Sequence, residues 1–106
     1  MTYPAITQGQ LWKAVSPVGA DEATVVILEA LPGMLGRRRL LAARVRPDRE
    51  VPSAMKLLTV PLDEGLVIAA YDIAAFDKGW LKEPSGQLTT AQLDRLKVAL
   101  RARFNL

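Results

Sequence analysis

Five of the chain's fourteen basic residues stand within eleven positions, in Gly36-Arg-Arg-Arg-Leu-Leu-Ala-Ala-Arg-Val-Arg46. Read with a period of two, the second half of this stretch sorts by face. Leu41, Ala43 and Val45 fall on one side, and Arg38, Arg44 and Arg46 fall on the other with Leu40 and Ala42 between them. Such alternation is what a half-buried strand requires. Its arginines are either a solvated sheet face or a platform for phosphates or an acidic partner, because a guanidinium offers a planar fork of donors. A second feature of this kind is Trp80, flanked by Lys78 and Lys82, a candidate exposed aromatic for stacking. Trp12 and Tyr71 also have faces for stacking but read more readily as core aromatics.

Composition narrows the chemistry. The 106 residues contain no Cys and no His, which excludes thiolate chemistry and removes the usual general base and the usual zinc ligand. Asp and Glu are scattered without calcium-loop spacing, so no metal site and no cofactor is expected. Half the residues are apolar, enough for one globular domain spanning 1–106. The N-terminus lacks a basic-then-apolar leader and no apolar run is long enough to span a bilayer, so a cytoplasmic protein without membrane contact is expected. The net charge is +3, unevenly placed: 35–56 basic, 57–94 acidic, 95–106 basic, a distribution suited to steering a polyanion.

The elements that must position these residues follow from pattern. Gly9–Val15 and Thr24–Leu31 read as strands, the second apolar on both parities and so covered on both sides. The arginine strand follows, most simply as a hairpin with its predecessor. Pro47–Ser53 reads as a loop, Ala54–Leu62 as a strand ending at Pro61, Asp63-Glu64-Gly65 as a turn, and Leu66–Tyr71 as a strand. Asp72–Leu81 is ambiguous, and Lys82–Gln87 reads as a loop by its Pro and Gly. The last element is a helix: Thr89 caps it, Gln92 completes a capping box, and Leu93, Leu96, Leu100 and Phe104 form one apolar stripe. The predicted fold class is mainly β: a small, strongly curved SH3-like barrel or sheet of about five strands, closed by a C-terminal helix.

Asp77-Lys78, Leu81, Gly86, Leu88 and the capping Thr89 before an amphipathic helix resemble the C-terminal third of the MazF/PemK toxins. Gly9-Gln-Leu-Trp12 resembles that family's opening strand, and Val25-Val-Ile-Leu28 its second. The related CcdB gyrase poisons share the fold. Gly36-Arg37-Arg38 resembles their middle hairpin, and Phe104-Asn105-Leu106 loosely resembles their C-terminal end. The resemblance implies a toxin of a type II toxin–antitoxin pair: a homodimeric, metal-independent endoribonuclease on single-stranded RNA, neutralised by a cognate antitoxin. The alternatives are a non-enzymatic, gyrase-binding toxin that inhibits growth through its C-terminal end, and an inactive relative that acts as a binding module.

In the MazF branch, an Arg before the second strand and a Ser or Thr ending the third carry much of the chemistry. Here those positions hold Glu22-Ala23 and Arg46-Pro47-Asp48. Two readings follow: either Arg44 or Arg46 stabilises the phosphate, with Asp72, Tyr71 or Glu22 taking the proton, or Glu22 and Asp72 are ordinary turn and strand-end residues and the nuclease site is absent or rebuilt. The expected catalytic residues are Arg44, Arg46 and Asp72; the expected binding residues are Arg37, Arg38, Arg39, Lys56 and Trp80.

Overall fold

Gly9 sets where the sheet begins. Its φ of +88° is open to glycine and rare for other residues. In that conformation its N–H donates to the Ile27 carbonyl at 2.9 Å, and its own carbonyl accepts from the Leu88 N–H at 2.9 Å. The first strand is thereby tied at once to the second and to the approach of the helix. The computed structural model describes residues 6–15, 22–30 and 39–104.

Among the described residues six strands form one antiparallel sheet. They are β1 (Gln10–Val15), β2 (Glu22–Ala30), β3 (Arg39–Pro47), β4 (Thr59–Pro61), β5 (Leu66–Asp77) and β6 (Leu81–Gln87), followed by helix α1 (Thr90–Phe104). Their order across the sheet is β4-β5-β3-β2-β1-β6. The β2–β3 pairing is the expected antiparallel one, with Val25 opposite Arg44. Register shifts interrupt the β1–β6, β2–β3 and β3–β5 ladders, and each such bulge adds local twist to the sheet.

Both faces of the curled sheet are covered. On one face Val26, Leu28, Ala43, Val60, Ile68 and Ala70 pack against Leu96 and Ala99 of α1. Burying a side chain such as Ile68, fully enclosed here, contributes roughly 1.5–3 kcal/mol. On the other face Trp12, Ala14, Val25, Ile27, Leu40, Ala42 and Phe76 form a second core, covered in part by Ile6, Trp80 and Leu81. Trp12 is thus a core residue, and its indole N–H donates to the Gln10 side-chain oxygen at 3.1 Å.

Three stretches depart from the pattern reading. Residues 54–58, expected as strand, belong to a 3-10 helix, Ser53–Leu58, and only Thr59–Pro61 continues as strand. Pro52 sets the entry, the Met55 N–H bonds back to its carbonyl at 2.8 Å, and the Thr59 hydroxyl donates to the Lys56 carbonyl at 2.7 Å. The alternation there was never used for burial, since Leu57 is 91% exposed. Residues 82–87, expected as loop, form β6. It lies at the sheet edge, where Pro84 can stand opposite Trp12 without breaking an inner ladder. The ambiguous stretch after Tyr71 continues β5 to Asp77, followed by a 3-10 turn, Lys78–Trp80, in which the Asp77 carboxylate accepts from the Gly79 N–H at 2.8 Å.

The helix and the turn before β5 match expectation. The Gln92 N–H donates to the Thr89 hydroxyl at 3.1 Å and the Gln92 side chain accepts from the Thr89 N–H at 2.9 Å, the reciprocal capping box. Among the described residues no helix is long and apolar enough to cross a membrane.

Candidate active site: an arginine pair on one carboxylate

The site is made by a bulge. On β3 the neighbours Ala43 and Arg44 pair with Ile73 and Ala69 of β5, so Ala70, Tyr71 and Asp72 fall between two consecutive pairings. In the sequence this is where polar Tyr71-Asp72 interrupts the apolar run from Leu66 to Phe76. Ala70 turns into the helix-side core, and Asp72 is delivered to the opposite side, where Arg44 and Arg46 stand. The two arginines share that side because they are two residues apart on one strand.

The Asp72 carboxylate accepts from both. Its Oδ1 takes Nη1 of Arg44 at 3.0 Å, and its Oδ2 takes Nε and Nη2 of Arg46 at 2.9 and 2.6 Å. The Asp72 side chain is 19% exposed, against 38% for Arg44 and 41% for Arg46. Burial pushes the Asp72 carboxyl up, but the hydrogen bonds and charges of Arg46 and Arg44 outweigh it, so the group titrates below the usual carboxylate range. Arg46 is raised, chiefly by its hydrogen bond to Asp72 and also by the charge of that carboxylate, against the opposing effect of burial.

Arg44 is held from another side as well. Its guanidinium carbon lies 5.3 Å from the centre of the Phe76 ring, a cation–π distance. The stem of Arg44 rises between Val25 and Ala69, its fully buried cross-strand neighbours. Phe76 in turn meets Trp80 edge to face, with ring centres 6.1 Å apart and planes at 86°. Trp80, Phe76, Arg44, Asp72 and Arg46 therefore form one continuous row. Trp80 is half-buried against the second core rather than standing free.

Among the described residues, Arg39, Lys56 and Glu22 make none of the contacts that form this row. Arg39 is exposed at the start of β3, opposite Asp77; five residues of strand rise put it about 17 Å from Arg44, and alternation turns it toward the other face. Lys56 sits in the 3-10 helix and donates to the Asp48 carbonyl at 2.6 Å and its carboxylate at 3.2 Å. Arg37 and Arg38 lie outside the described residues. Glu22 opens β2 as an exposed residue 3.8 Å from Lys13, which also reaches Glu83 at 3.3 Å. Phe76 and the bulge are the parts that pattern reading missed; the polar pair inside the Leu66–Phe76 run is the signal that marks the bulge.

No protein-family model matches the chain, and no characterised protein matches it by sequence. Solved structures do. A mycobacterial endoribonuclease in complex with its cognate antitoxin superposes with a TM-score of 0.71 at 16% identity, covering 96% of this chain and 97% of that one. The Mycobacterium tuberculosis toxin MazF-mt6 gives 0.71 at 18% identity, covering 92% and 97%. A further mycobacterial endoribonuclease gives 0.72 at 17% identity, covering 97% and 94%. At these identities the common property is architecture, and over nearly its whole length this chain has the fold of the MazF toxins.

Proposed function

We propose that the chain is the toxin of a type II toxin–antitoxin pair and acts as a metal-independent endoribonuclease on single-stranded RNA. The observation that carries this reading is the pair of guanidiniums, Arg44 and Arg46, gathered on Asp72 at a bulge of a MazF-type fold. The reaction is an internal transesterification. The ribose 2′ oxygen attacks the adjacent phosphorus, the bond from phosphorus to the 5′ oxygen breaks, and the products are a 2′,3′-cyclic phosphate and a 5′ hydroxyl. One proton leaves the 2′ oxygen and one is delivered to the 5′ oxygen. The charge that builds on the non-bridging oxygens is met by the N–H forks of Arg44 and Arg46. Tyr71, in the same bulge, is the remaining candidate for the proton transfer.

Trp80 lies at the end of the same row and offers a ring for a base. The chain is proposed to work as a homodimer and to be neutralised by an acidic cognate antitoxin, as one structural neighbour is solved with its own. From residue 105 on, the tail that would serve a gyrase-binding toxin lies outside the described residues.

The test is incubation of purified protein with a defined single-stranded RNA in chelator. Expected are discrete products ending in 2′,3′-cyclic phosphate by mass spectrometry, lost in Arg46→Ala. Intact RNA at high enzyme concentration sinks the proposal.

A further inference from the structure

The expectation that Asp72 takes a proton sits poorly with its surroundings. Two guanidiniums hold the carboxylate in its charged, hydrogen-bonded form, and a carboxylate stabilised in that way is a weak acceptor. A role as a plug that occupies the arginines against ligand fits no better. The Asp72 side chain is the least exposed of the three, at 19% against 38% for Arg44 and 41% for Arg46, so solvent has more access to the arginines than to the carboxylate.

We infer that Asp72 is a positioning residue: by bridging Arg44 and Arg46, it fixes two guanidiniums as one cradle for a single phosphodiester group. The choice of ligand rests on the nuclease reading; the cradle itself rests on geometry. Asp72 engages Arg44 through one N–H and Arg46 through two, which leaves most of the donors of both forks for an outer acceptor. Arg44 is fixed a second time over Phe76. Two cations on one anion leave the cluster with one net positive charge, the complement of one phosphodiester. Holding both arginines before the ligand arrives means that their side-chain freedom is not lost on binding. The three-residue bulge on β5 supplies the anchor that a regular ladder would have paired away.

The test uses a 2′-O-methyl dinucleotide, which carries one phosphodiester and cannot be cleaved. Its affinity is measured by calorimetry for the wild-type chain, Asp72→Asn and Arg44→Lys. Asp72→Asn makes the protein more positive by one charge, so plain electrostatic attraction, a plug, or a proton acceptor all predict equal or tighter binding. The cradle predicts binding at least five-fold weaker, together with loss of the slowly exchanging Arg46 Nε–H signal in NMR spectra. Arg44→Lys keeps the charge and loses the fork; it too is expected to bind at least five-fold weaker, and it decides the matter should Asp72→Asn fail to fold by circular dichroism. Wild-type binding that is absent, or variant binding that is unchanged or tighter, overturns the proposal. Cleavage of a longer RNA is scored separately. A wild type that binds as expected and cleaves nothing sinks only the nuclease reading, and a wild type that cleaves while Asp72→Asn binds tightly sinks only the cradle.

Discussion

Along β3, Leu41, Ala43 and Val45 enter the core beneath α1, whereas Leu40 and Ala42 enter the second core and Arg44 and Arg46 continue that side into solvent. On the first side Ala43 is buried and Leu41 and Val45 are half-buried against the core that α1 closes, while Arg39 at the start of the strand is exposed. Among the described residues the second side is covered by Ile6, Ala74, Trp80 and Leu81, and Arg44 and Arg46 stand beyond its buried part. Arg44 marks the boundary, its stem beside buried neighbours and its head over Phe76, as long cationic side chains do at the rim of an apolar surface. One strand thus serves stability with one side and charge with the end of the other.

Truncating each side separates the two roles. Ile68→Ala, on the helix side, is expected to cost about 3 kcal/mol in urea unfolding and to leave cleavage by the folded fraction unchanged. Arg46→Ala, on the other side, is expected to lower cleavage by on the order of a hundredfold while unfolding within about 1 kcal/mol of wild type, because its ion pair is partly open to water. If Arg46→Ala unfolds the chain as Ile68→Ala does, the division between the two sides fails.

Thr89→Ala removes the capping box that seats α1 on the helix-side core and is expected to cost about 1 kcal/mol by the same assay. Glu64 holds a φ of +61° in the turn before β5, a left-handed conformation that strains a residue with a Cβ. Glu64→Gly is expected to raise stability by roughly 0.5–1 kcal/mol, with no effect on either side of β3.

The last prediction concerns pH. The carboxyl of Asp72 is lowered on folding by Arg46 and Arg44, so its contribution to stability is whole above the ordinary aspartate value of 3.8 and is lost as pH falls from there through the folded value. Comparison of wild type with Asp72→Asn by urea unfolding should show a constant difference at neutral and mildly acid pH that shrinks only below that ordinary value. A difference that changes between pH 5 and 7 would mean that another group governs the pair.

Legibility in the sequence followed locality. Helix α1 was readable because its cap, its box and its apolar stripe are all set within a few residues of one another. Strand β6 was not, because Pro84 and Gly86 are loop residues by composition and become strand residues only at an edge beside β1. The 3-10 helix at Ser53–Leu58 imitates a strand in hydropathy, yet nothing packs on Leu57. In the site, the shared side of Arg44 and Arg46 follows from their spacing. Their union with Asp72, 28 and 26 residues away, depends on a bulge that no periodicity announces.

The sequence by itself determined an antiparallel β domain with a capped C-terminal helix, the absence of His and Cys chemistry, and a strand carrying two arginines on one side. Those features need only local spacing and residue type. Tertiary structure decided which carboxylate those arginines share, that Phe76 backs one of them, and that Arg39 and Lys56 stand apart from them. The first two turn on the register of β3 against β5, where moving the pairing by one residue would exchange every side chain between the two faces.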